Sequence, residues 1–251
     1  ATGIQPITVH DGAGPMAGAA ISLVVDDQNL ADGSSPATPV TDSGDIVFTA
    51  GSDAIATIAF GADISGLDGG LTWFRISETQ IVGSDGGFPI VTLDLVRVGN
   101  TAQITVTLND NYDSHPGILD DLQALGSVDV VATDIDGDTA TSSVSVSVSD
   151  DVPTATDDAV GLTEGGPISV TVDVDANDTP GADGAGVSYP TLMGAYGTLT
   201  LNPDGTQTYT LSPAGQAGID ALAPGATLTD TFGYTLTDGD GDADTANLVV
   251  T

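Results

Sequence analysis

The sequence predicts an all-β chain built as two β-sandwich modules in series. Three observations carry this: period-two alternation of apolar and polar residues, turn residues at sandwich spacing, and an internal repeat about 100 residues long. Val144, Val146 and Val148 alternate with Ser143, Ser145, Ser147 and Ser149, so one face of that segment is apolar and the other wet. Ile104, Val106 and Leu108 alternate with Thr105 and Thr107 in the same way. Asn202-Pro203-Asp204-Gly205 lies between Thr198–Leu201 and Thr206–Leu211, which is a hairpin with Pro and Gly where a type I turn with a bulge needs them. Helical spacing is confined to Gly117–Leu125 and Pro213–Leu222, where two short helices are expected.

The repeat sets the module boundary. Thr133-Asp134 with Asp136-Gly137-Asp138 recurs as Thr237-Asp238 with Asp240-Gly241-Asp242. Each copy sits between apolar strands, so each is the turn of a hairpin that closes a module, and repetition at this period means an array of domains. Asp150-Asp151-Val152-Pro153 follows the first hairpin, and Pro breaks the ladder to begin a linker. The modules are therefore placed at 1–152, with 1–25 an unassigned entrance segment, and at 153–251. A similar Asp26-Asp27 follows Ile21–Val25.

Composition narrows function. The chain has 251 residues, no Cys, 33 Gly, 13 Pro and 40% hydrophobic residues. No disulfide and no thiolate chemistry is available, and the absence of Lys removes Lys–Asn isopeptide cross-links. Arg75 and Arg97 stand against 36 acidic residues, for a formal charge of −34, which repels nucleic acid and anionic membrane and favours a monomer. Removing Glu78 and Glu164 from those 36 leaves 34 Asp. Asp holds its short carboxylate close to a turn backbone, where a hard cation is caged, whereas an acidic solubilising surface uses Glu freely. No apolar stretch is long enough to span a bilayer, no signal peptide opens the chain, and both ends read as cut in mid-architecture, as in a fragment of something longer.

A Ca²⁺ ion takes six to eight oxygens at about 2.3–2.6 Å, and aspartates at alternate turn positions around a Gly supply them. Four segments meet that need: Asp134, Asp136 and Asp138; Asp238, Asp240, Asp242 and Asp244; Asp173, Asp175, Asn177 and Asp178; and the linker carboxylates Asp150, Asp151, Asp157 and Asp158. None is an EF-hand, because the twelfth position from Asp134 is Ser145 and from Asp238 is Val249. The strand Ala140–Val148 spans roughly 30 Å at ~3.3 Å per residue, a whole sandwich height, so each Asp-rich turn is expected at the entrance pole of its own module. Asp173–Asp178 and the linker converge there with Asp238–Asp244. Without metal the linker carboxylates are expected to repel and let the modules swing.

Residues 26–153 resemble a repeat of type I-secreted giant RTX-type adhesins, through Thr41-Asp42-Ser43-Gly44, Ala50-Gly51-Ser52-Asp53, Ile58-Ala59-Phe60-Gly61, the Asp134–Ala140 turn and Asp150-Asp151-Val152-Pro153. Residues 154–251 resemble a VCBS or cadherin-like bacterial repeat, through Asp157-Asp158, Asn177-Asp178, Gly197-Thr198-Leu199, Phe232-Gly233-Tyr234 and Thr237–Gly241. The resemblance implies Ig-like/cadherin-like sandwiches, Ca²⁺, the bacterial cell surface, neighbouring repeats of the same polypeptide as partners, and a calcium-rigidified extender. Surface glycans or biofilm ligands would be met through other domains.

Catalysis lacks its parts: His10 and His115 lie in polar turns, no Gly-x-Ser-x-Gly elbow occurs, and Asp42-Ser43-Gly44 has no partner motif. The competing reading is a calcium-dependent carbohydrate-binding module with Trp73, Phe74 and Arg75 as a stacking platform and Tyr112 and His115 on its rim. Set against it, Trp73 and Phe74 are core residues of an aromatic-poor domain.

Overall fold

A computed structural model describes residues 12–37, 39–112 and 120–251. The described residues fall into two compact units: residues 12–26, 39–112 and 122–149 in unit 1, and residues 27–37, 120, 121 and 150–251 in unit 2.

Unit 1 is a sandwich of two sheets. Its strands are β1 (Ile21–Asp26), β2 (Thr41–Val47), β3 (Ile55–Phe60), β4 (Thr72–Arg75), β5 (Gln80–Asp85), β6 (Phe88–Val98), β7 (Thr101–Leu108), β8 (Leu122–Asp134) and β9 (Thr139–Ser149). One sheet runs β1-β9-β8-β3 and the other β2-β7-β6-β5-β4. The serine–valine alternation of β9 has the predicted consequence: Val144, Val146 and Val148 are buried and face the core with Val128 and Val130 of β8. Ile46, Leu93, Ile104 and Val106 supply core from the second sheet. The chain's two cations bind backbone. Arg75 donates to the carbonyls of Phe60 and Gly61, and Arg97 to those of Ile55, Ala56 and Gly99, so both guanidinium groups fasten β3.

The helix expected at 117–125 is corrected where the structure describes it. Leu122–Leu125 opens β8, with a bulge between Ala124 and Gly126. Its apolar spacing suits either structure. Gly126, at φ 98°, packs where a Cβ would lie 2.1 Å from the Gly66 carbonyl oxygen, so the segment is held as strand.

Unit 2 repeats the plan with fewer strands: β10 (Asp158–Val160), β11 (Ser169–Val172), β12 (Ala185–Ser188), β13 (Gly197–Leu201), β14 (Gln207–Leu211), β15 (Asp230–Asp238) and β16 (Ala243–Val250). One sheet runs β10-β16-β15-β12 and the other β11-β14-β13. The helix expected at 213–222 forms as α1 (Pro213–Asp220), capped by the Ser212 hydroxyl accepting from the Gly215 amide and started by Pro at its first turn. Tyr209, Phe232, Tyr234, Leu248 and Val174 form the core, with the Tyr209 and Phe232 rings edge to face at 5.9 Å. In both units the first strand lies parallel to the last, β1 on β9 and β10 on β16.

Candidate metal centre

The two repeated Asp loops fold alike. In the β8–β9 hairpin, one Asp134 oxygen accepts from the amides of Gly137 (3.1 Å) and Asp138 (2.8 Å). In the β15–β16 hairpin, one Asp238 oxygen accepts from Gly241 (3.1 Å) and Asp242 (2.7 Å). Gly137 and Gly241 sit at φ 108° and 114°, which an L side chain rarely adopts. This turn holds the first Asp down and turns the later ones toward a common centre. Carboxylate oxygens of Asp134, Asp136 and Asp138 come within 4.8 Å of one another in unit 1, and those of Asp150, Asp240 and Asp242 do so in unit 2.

The unit 2 cluster is the more deeply buried. Asp150, Asp238 and Asp242 are 5%, 8% and 2% exposed. The second oxygen of Asp238 and both oxygens of Asp240 are buried with no hydrogen-bond partner. Burial, and then the facing Asp240 carboxylate, push the Asp238 carboxyl up to about 7. With no Lys in the chain and both Arg side chains committed to backbone in unit 1, no side-chain Lys⁺ or Arg⁺ offsets these carboxylates. Buried anionic oxygens without donors are costly unless a cation supplies the missing partner. An all-oxygen donor set of carboxylates and carbonyls suits a hard divalent cation, so the residues fit Ca²⁺.

The other expected ligands serve the linker. Asp244 accepts from the Ala155 amide (2.9 Å), and Asp178 from the Thr156 amide (2.7 Å). Asp157 accepts from the Asn247 amide at 2.8 Å, and Asn177 donates to the carbonyls of Thr156 and Asp157. Asp173 caps the turn Val174–Asn177 by accepting from the Asp175 amide. Asp151 is engaged by Ser34, whose amide (2.7 Å) and hydroxyl take one carboxylate oxygen each. Asp158 and Asp178 receive the Tyr234 hydroxyl. Burial raises the carboxyls of Asp158 and Asp175 above the usual range. Residues 154–157 are thus held within unit 2 by hydrogen bonds to protein groups.

Two carboxylates, Asp183 and Asp230, escaped the sequence reading, and Asp27 entered it only through the likeness of Asp26-Asp27 to the linker pair. Asp27, 1% exposed, follows β1 just as Asp150 follows β9, and Asp26 pairs with Ser149 in register. Asp183 lies against Gly239, between glycines at φ 81° and 65°. Asp230 is a structural anchor for the chain at 195–197. The one sequence signal for Asp183 is the Gly181–Gly184 turn around it.

Trp73, Arg75 and Tyr112 of the proposed sugar platform are committed to backbone carbonyls, and the expectation of Phe74 as a core residue is corrected by its exposure. Trp73 donates its indole N–H to the Asp68 carbonyl, with its ring against Gly83. Phe74, the next residue along β4, is half exposed. Tyr112 is buried, with its hydroxyl on the Gly69 carbonyl. His115, like His10, lies outside the described residues.

No helix among the described residues is long and apolar enough to cross a membrane. No curated protein matches the chain. Among solved structures, Protocadherin Gamma C5 EC1-3 aligns over 96% of this chain and 68% of its own length at 15% identity and a TM-score of 0.32. Drosophila N-cadherin EC1-4 aligns over 95% of this chain at 14% identity and a TM-score of 0.30, and the chain spans 49% of it. The bradyzoite-specific antigen BSR4 of Toxoplasma gondii aligns over 100% and 92% at 10% identity and a TM-score of 0.34. Residues 150–251 match the family model of the bacterial cadherin-like domain.

Proposed function

We propose that this chain is a non-catalytic, calcium-stabilised extender segment of a large bacterial surface adhesin, its modules acting in series with neighbouring repeats. The observation that carries the reading is the buried Asp150–Asp240–Asp242 cluster, in which both Asp240 oxygens have no hydrogen-bond partner. Ca²⁺ held there would tie Asp150, where the linker begins, to the β15–β16 turn. The unit 1 turn Asp134, Asp136, Asp138 would take calcium by the same chemistry. The matched bacterial cadherin-like domain supports an extracellular adhesion or extender module. The sequence motifs support the wider setting of a type I-secreted RTX-type adhesin with a place in biofilm.

The test is thermal unfolding in calcium against EDTA at matched ionic strength. At ten times Kd each site adds about 1.4 kcal/mol by mass action, and extracellular sites bind at about 10⁻⁴–10⁻³ M. The melting temperature should rise with calcium, and added NaCl should reproduce only part of the rise. Identical melting in calcium and EDTA rejects the reading.

A further inference from the structure

We infer that the two Asp hairpins are calcium sites of unequal strength, with the tight one in unit 2, and that residue 239 and Asp183 set the difference. The inference rests on the calcium reading above and adds to it a rank order and a selecting pair.

The hairpins match at three acidic positions, Asp134, Asp136 and Asp138 against Asp238, Asp240 and Asp242, and the second adds Asp244 where the first has Ala140. They share the same carboxylate-to-amide turn and the same left-handed Gly. They differ at the residue between the first two acids, Ile135 in one and Gly239 in the other. Ile135 stands 71% exposed on that side of the unit 1 turn. At Gly239 a Cβ would lie 3.1 Å from the Asp183 Cβ and 3.3 Å from the Asp183 carbonyl oxygen. A side chain at this position would crowd the Gly181–Gly184 loop and require it to give way by a few tenths of an ångström. That approach carries to the turn an acidic residue beyond Asp150 and the three of the hairpin, its Oδ2 3.5 Å from the same point. Pairing of Ala185 with Asp238, where β12 meets β15, holds the loop in place.

Independent of the count of acids, Asp238 points to a bound cation. It is 8% exposed, and its second oxygen is buried against Asp240 with no hydrogen-bond partner. In unit 1 Asp138 lies against Gly14, and Asp136 is exposed. Calcium affinity rises with the number of charged ligands and with the rigidity of their setting, and unit 2 has more of both.

Calorimetric titration of calcium into the full chain tests this, with each turn disabled in its partner's absence. Asp136→Asn with Asp138→Asn leaves the unit 2 site; Asp240→Asn with Asp242→Asn leaves the unit 1 site. The remaining unit 2 site should bind at least about tenfold more tightly than the remaining unit 1 site. Gly239→Ile and, separately, Asp183→Asn should each erase most of that advantage. Asp183→Asn keeps the backbone and volume, so it decides the matter if Gly239→Ile unfolds the loop, and metal-free melting reports the fold of each variant. Equal affinities, or an Asp183→Asn protein that binds like the parent, overturn the inference while leaving the calcium reading intact. Absence of binding heat from either turn overturns the calcium reading itself.

Discussion

The Asp230 carboxylate accepts the Tyr209 hydroxyl at 2.6 Å inside unit 2, 4% exposed. The same two oxygens accept the amides of Ala195, Tyr196 and Gly197. This Asp is held by donors from the protein itself, in contrast to Asp240. Its role is to close β15 onto the turn that leads into β13. Asp230→Asn places an amide N–H₂ against converging donors and should cost about 3 kcal/mol. Tyr209→Phe, which removes one of several donors, should cost less, about 1.5–2 kcal/mol. Chemical denaturation of the two variants checks the order, and calcium should not restore either.

The metal-free fold should be more stable near pH 5 than near pH 8. Asp238 has its carboxyl raised from 3.8 to about 7, by burial first and the facing Asp240 second. A folded-state value above the unfolded one means the native chain holds the proton more strongly. The stabilisation is complete below about pH 4 and is lost as pH rises through about 7. Asp158 and Asp175 are raised in the same direction. Asp63 and Asp204, lowered by hydrogen bonds from Ser65 and Thr206, act oppositely, but only below about pH 4. Saturating calcium should reverse the order, because ligands must be deprotonated to bind. Melting curves of the metal-free chain that are flat from pH 5 to 8 would contradict this, and Asp238→Asn should flatten them.

The sequence was informative wherever the physics is local. The Asp-Gly turns, the Ser–Val alternation of β9 and the Ser212 cap of α1 each depend on residues a few positions apart. Register between distant strands is a tertiary property, and there the reading fell short. Asp26 pairs with Ser149, 123 positions apart by their numbers, and the next residue, Asp27, is 1% exposed. Asp183 matters because Gly239 leaves it room. An excess of Asp also conceals different roles, since Asp230 and Asp240 look alike in sequence. Only the donors around each, three amides and a hydroxyl against none, separate an anchor from a ligand.

Ser34 clamps Asp151 with its amide and its hydroxyl, fastening residues 27–37 within unit 2. A hydrogen bond to a carboxylate contributes about 1.5–3 kcal/mol, and Ser34→Ala removes one of the two. Limited proteolysis should then cut within 27–37 first, with the parent resistant at the same enzyme ratio. Unchanged cleavage would show that Leu30, 7% exposed, and its neighbours hold the segment without the clamp.

The linker between Thr154 and Asp157 should stay ordered when calcium is removed. Thr154 pairs with Thr179 in a two-hydrogen-bond bridge at 2.8 and 2.9 Å. The Ala155 amide is held by Asp244 and the Thr156 amide by Asp178. Asp178 is itself fixed by the Tyr234 hydroxyl at 3.1 Å, and Tyr234 is 1% exposed in the core. These bonds run from the core outward and include no metal, whereas Asp150 faces Asp240 and Asp242. Hydrogen exchange of the chain in EDTA should therefore show protected amides at Ala155 and Thr156. Asp178→Asn weakens a charge-assisted acceptor and Tyr234→Phe removes its support, so each should speed exchange at Thr156 by roughly tenfold, the equivalent of about 1.4 kcal/mol. Rapid exchange of both amides in the parent without calcium would mean that the ion, and not this hydrogen-bonded path, holds the linker to unit 2.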